Sequence, residues 1–95
     1  MKTVTGSMAT DRPPGRYAKQ LASHWATRGT VTEEGGATVM RWTTGQIIVM
    51  RPEEGYLAVE VAVPDDADAE RFAQVVKEHL ERFGQRDELH VVWDG

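Results

Sequence analysis

The stretch "TVTEEGGATVMRWTTGQIIVMRPEEGYLAVEVAV", residues 30–63, decides the fold. It holds four β-prone runs, "TVTEE", "ATVMRW", "QIIVMR" and "YLAVEVAV". Between them stand Gly35 with Gly36, "TTG" ending at Gly45 and "EEG" ending at Gly55, turn chemistry that suits consecutive hairpins. In the last run Leu57, Val59, Val61 and Val63 alternate with Ala58, Glu60 and Ala62, so one face is apolar and the other tolerates water. The region is an antiparallel meander with one face to bury.

The flanks supply the cover. Upstream, residues 2–9 alternate loosely and form a first strand, frayed or partly flexible at its start. Thr10 offers a hydroxyl N-cap, and Pro13 and Pro14 fall in the first turn of a helix, where a missing N–H is tolerated. From Gly15 the pattern is helical: Tyr17, Leu21 and Trp25 recur every fourth residue, and the helix ends near Arg28 and Gly29. Downstream, Asp65, Asp66 and Asp68 cap a second helix and complement its dipole, which explains the acidic run without a metal. Its apolar stripe runs through Phe72, Val75, Val76, His79, Leu80 and Phe83 to a stop at Gly84. A final strand, "ELHVVW", puts Leu89, Val91 and Trp93 on one side. The expected fold is α+β: a two-layer sandwich, order β-α-β-β-β-β-α-β, with two helices on one face of an antiparallel sheet. No repeat or linker divides residues 1–95, so one domain is expected.

Composition narrows the functional classes. The chain is 40% apolar and 27% charged, ordinary for a globule. No apolar run approaches the roughly 20 residues that span a bilayer, and "MKTVTGSMAT" lacks the apolar core of a secretory signal. A net charge of −4 disfavours nucleic acid, since Arg12, Arg16, Lys19 and Arg28 cluster on one helix without an aromatic strand ladder. The absence of cysteine removes thiol chemistry and suits a reducing cytoplasm.

The candidate site lies where the helix margins meet. His79 falls within the apolar stripe of the second helix, and His24 lies beside Tyr17 and Leu21 with Gln20 next to it. If both helices pack on one sheet, Gln20, His24 and His79 form a polar group, joined from the loop by Arg86 and Glu88. His79 then has two readings. It donates to a backbone carbonyl or to Glu88 as a satisfied core group, or it stands as a neutral general base or ligand. Two histidines with Glu88 also form a two-His-one-carboxylate set. No HxH, HxxxH, HExxH or GxSxG motif supports local metal or serine-hydrolase chemistry, so no metal or cofactor is assigned. Of the three tryptophans, core packing accounts for Trp25 and Trp93, and Trp42, at a hairpin end, is the one expected to be exposed to a partner.

Two segments, "RYAKQLASHW" (residues 16–25) and "HLERFGQRDELHVVW" (residues 79–93), resemble the signature blocks of the bacterial family Domain of Unknown Function 2218. The family's recurrent polar positions fall on Arg16, Lys19, Gln20, His24, His79, Arg82, Arg86 and Glu88, with no catalytic role to transfer. The chain departs from the pattern at Thr27, where relatives carry a second histidine, and at Gln85, where they favour an aromatic. The first departure weakens any metal site that needs that histidine. The resemblance also implies a context beside siderophore-interacting flavin reductases, hence an accessory role in iron metabolism with such a reductase as partner. The leading expectation is a non-enzymatic cytoplasmic module that binds a small ligand or protein through Arg16, Gln20, His24, His79, Arg86 and Glu88. The alternatives are a small enzyme or metal-dependent protein using His24 and His79, and a module that oligomerises through a sheet edge.

Overall fold

The computed structural model describes residues 1–84 and 89–94. Its elements are β1 (Lys2–Ala9), α1 (Gly15–His24), β2 (Gly29–Glu34), β3 (Ala37–Trp42), β4 (Ile47–Glu53), β5 (Tyr56–Val63), α2 (Ala69–Phe83) and β6 (Val91–Trp93). The described strands form one six-stranded antiparallel sheet in the order β2-β3-β4-β5-β1-β6. The α+β architecture and the element order are those the sequence implies.

The three hairpins follow from their turns. Gly35 and Gly36 sit at φ 56° and 83°, the left-handed conformations that a two-residue hairpin needs and that glycine adopts without steric penalty. Their register pairs Glu34 with Ala37 and Gly29 with Trp42. β1 enters between β5 and β6: it pairs with β5 from Lys2↔Val63 to Ala9↔Tyr56, and with β6 from Gly6↔Trp93 to Met8↔Val91. Gly6 permits the second pairing, because a Cβ there would lie 2.6 Å from both the Val92 carbonyl oxygen and the Trp93 ring.

The helices cover one face. Leu57, Val59, Val61 and Val63 of β5 join Met8, Met40, Ile48, Met50 and Val91 beneath Tyr17, Ala18 and Leu21 of α1, Trp25 just after it, and Val76 and Leu80 of α2. Burying a large apolar side chain contributes about 1.5–3 kcal/mol, so this layer dominates stability. The opposite face is open, with Thr5, Ser7, Val49, Arg51, Ala58 and Glu60 around a shallow concavity of about 530 Å³.

Local details differ from the sequence expectation. Thr10 does not cap α1: the cap position is Pro14, with no side-chain hydrogen bond. Thr10 is buried instead, its N–H donating to the Gly55 carbonyl at 2.9 Å and its hydroxyl accepting the Arg12 N–H at 3.0 Å. It therefore shapes the turn that carries the chain off β1. α1 stops at His24 rather than near Arg28, and residues 25–28 form turns because Gly29 must already pair with Trp42. Asp68 caps α2 as expected, accepting the Arg71 N–H at 3.1 Å.

Candidate functional site

Arg16, Gln20 and His24 recur every fourth residue of α1, so they share its exposed margin. With Lys19, Ser23 and the α2 residue Phe83 they line a shallow, solvent-open depression of about 600 Å³. Among the described residues, no ion pair neutralises Arg16 or Lys19. The depression thus gathers two cations, an amide, a hydroxyl and an imidazole against an aromatic edge, in a chain whose net charge is −4.

The two histidines, far apart in sequence, are neighbours in space. Packing of α1 on α2 sets the His24 and His79 rings 5.3 Å apart between centroids, tilted by 49°. They belong to a run of ring contacts that passes through buried Trp25 and ends at exposed His24. Phe72 meets Trp42 edge-on at 5.5 Å, Trp42 meets Trp25 at 5.5 Å, and Trp25 meets His79 at 4.6 Å. His79 then meets His24, whose ring also stands 6.0 Å from both Phe83 and Trp25. Edge-to-face and tilted pairs in this range add about 0.5–1.5 kcal/mol each beyond their buried area. Trp42 is therefore not the exposed anchor expected of a hairpin end; it is half-buried between Trp25 and Phe72.

His79 is half-buried rather than central to the apolar stripe. The buried positions of α2 are Ala69, Ala73, Val76 and Leu80. The two alanines let the helix axis approach the sheet, which turns Val75 out to 36% exposure and leaves His79 at the margin. Its Nδ1 lies 2.8 Å from the Val75 carbonyl oxygen. A carbonyl only accepts, so Nδ1 carries the proton, and in the neutral ring Nε2 keeps its lone pair. Of the partners considered from sequence, the backbone carbonyl is present, and Glu88 lies outside the described residues. Among the described residues, no hydrogen bond occupies the His24 ring, and no cluster of three or more His, Cys, Asp or Glu side chains could hold a metal. Arg86 and Glu88 lie outside the described residues.

The start of β6 is tied to α2 by Glu81. Oε2 of Glu81 accepts from Lys77 Nζ at 2.5 Å and from the Val91 N–H at 2.9 Å, with His90 Nδ1 3.6 Å away. Partial burial pushes the Glu81 carboxyl up, but the bonds from Lys77 and Val91 outweigh it and hold the group below the usual carboxylate range. The only sequence signal was its spacing of four from Lys77 near the helix end. Gly84 completes the connection: a Cβ there would lie 2.8 Å from the Leu89 side chain.

A family model described as "Uncharacterized protein conserved in bacteria (DUF2218)" matches residues 5–94. The fold is similar to the NMR structure of PA4090 from Pseudomonas aeruginosa, with a TM-score of 0.75 over 99% of this chain and 96% of that one at 19% identity. A comparison with curated proteins finds no match.

Proposed function

Because this chain belongs to DUF2218, a bacterial family whose description assigns no activity, we propose its function from the site: a non-enzymatic module that binds an anionic ligand or acidic protein segment. The observation that carries this reading is the depression where Arg16 and Lys19, unpaired among the described residues, stand with Gln20, Ser23 and His24 beside Phe83. Guanidinium, ammonium and imidazole groups bind carboxylates and phosphates, and an aromatic edge suits a flat or apolar ligand body. We place the module in the cytoplasm, where a cysteine-free chain is at home. The siderophore-interacting reductase implied by the family resemblance is proposed as a partner that docks an acidic surface here.

Titration with inorganic phosphate in metal-free, low-salt buffer, followed by amide NMR, tests the site. The expected result is saturable shifts in α1 and around Phe83 that vanish in Arg16→Ala/Lys19→Ala. Shifts confined to Arg41 and Arg51, or none at all, would sink the reading. For the partner, wild type should capture the reductase from iron-starved cells and Arg16→Glu/Lys19→Glu should not; equal capture by both would refute this docking surface.

A further inference from the structure

We infer that His24 and His79 form a two-imidazole chelate for a transition-metal dication of the Zn²⁺, Ni²⁺ or Cu²⁺ class, with water or an anion completing its coordination. The inference does not rest on the anion-binding reading. Three observations carry it. First, two imidazoles from different helices lie 5.3 Å apart between centroids. That separation leaves room for one ion bound to a nitrogen of each at about 2.0–2.1 Å. Second, the His79 tautomer is already set, with Nδ1–H on the Val75 carbonyl at 2.8 Å. A metal-ligating histidine characteristically donates its other ring N–H to a carbonyl or carboxylate, which fixes the ring and raises its basicity. Third, among the described residues no hydrogen bond engages the exposed His24 ring, so a nitrogen is free to bind.

The chemistry of the surroundings selects the ion. Among the described residues, no carboxylate lines the depression beside His24, and Arg16 and Lys19 on its rim oppose a hard dication. Hard, oxygen-seeking Mg²⁺ and Ca²⁺ are therefore rejected, whereas imidazole bonds favour Zn²⁺, Ni²⁺ and Cu²⁺. The same cations attract an anionic co-ligand to the open positions of the bound ion. The packing of α1 on α2 brings the two rings together.

Zn²⁺ added to the full chain, with the imidazoles followed by NMR, provides the test. His24 and His79 should respond together at one ion per chain, and Mg²⁺ should have no effect. His24→Ala, at an exposed position, and His79→Gln should each weaken Zn²⁺ binding by at least about tenfold. His90→Gln should leave it unchanged. Equal responses from all three imidazoles, wild-type affinity in His24→Ala, or no response up to millimolar Zn²⁺ would each overturn the inference. Phosphate binding in metal-free buffer would survive that outcome, so the two readings fail separately.

Discussion

Replacing Glu81 by Ala removes the carboxylate that joins α2 to β6. The side chain is 22% exposed and accepts from Lys77 and from the N–H of Val91, a residue only 2% exposed. A hydrogen bond to a charged group contributes about 1.5–3 kcal/mol when its loss strands a buried partner. The Lys77 pair, partly open to solvent on both sides, adds about 0.5 kcal/mol. The expected loss at pH 7 is therefore about 2–3 kcal/mol, or on the order of 10–20 °C in Tm for a domain of this size. The effect depends on pH with a definite sign. Because the folded carboxyl is held below its ordinary value of 4.5, its stabilisation is complete above that pH and fades as pH falls through the lowered folded value. Urea unfolding of wild type and variant at pH 7 and at pH 3 measures both quantities. A loss below about 0.5 kcal/mol at pH 7, or the same gap at both pH values, would refute the clamp.

Gly6→Ala should destabilise by about 1–3 kcal/mol or more, because the Val92 carbonyl oxygen in its path is backbone and cannot swing aside; faster amide exchange confined first to β6 would confirm the location. Leu80→Ala, at a fully buried core position, should lose about 2–5 kcal/mol in urea unfolding. Asp68→Ala should lose about 0.5–2 kcal/mol through its cap bond to the Arg71 N–H, with Asn at the same position restoring most of it. His79→Gln should cost only about 1 kcal/mol, the scale of its ring contact with Trp25; a loss several times larger in thermal unfolding would make His79 a core residue.

What could be read from sequence was whatever local chemistry dictates. Glycines at Gly35 and Gly36 and the alternation of Leu57 through Val63 fixed hairpins and a buried face, because both signals act within a few residues. The end of α1 was misplaced because its limit is the pairing of Gly29 with Trp42, a distant constraint. The facing of α2 was misread because Ala69 and Ala73 look weakly apolar in a periodicity, yet their small size sets how the helix docks. At the site, the row Arg16, Gln20 and His24 was legible as a helix margin, whereas its contact with His79 depends on how two helices cross. Glu81 was missed for the same reason: its partner at Val91 belongs to another element.

The insertion of β1 between β5 and β6 also governs the order of assembly. The β2 to β5 hairpins join neighbours in the chain and can close while later residues are still being made. β1, synthesised first, finds its β5 partner only after the whole meander has emerged, and Ser7 meets Val92 only at the far end of the chain. Until then both edges of β1 are without their native neighbours, templates for pairing with another molecule. A truncated chain lacking residues 1–9 would leave the long edge of β5 unpaired and would be expected to aggregate through it, so loss of the first strand would be a greater hazard than loss of any surface loop.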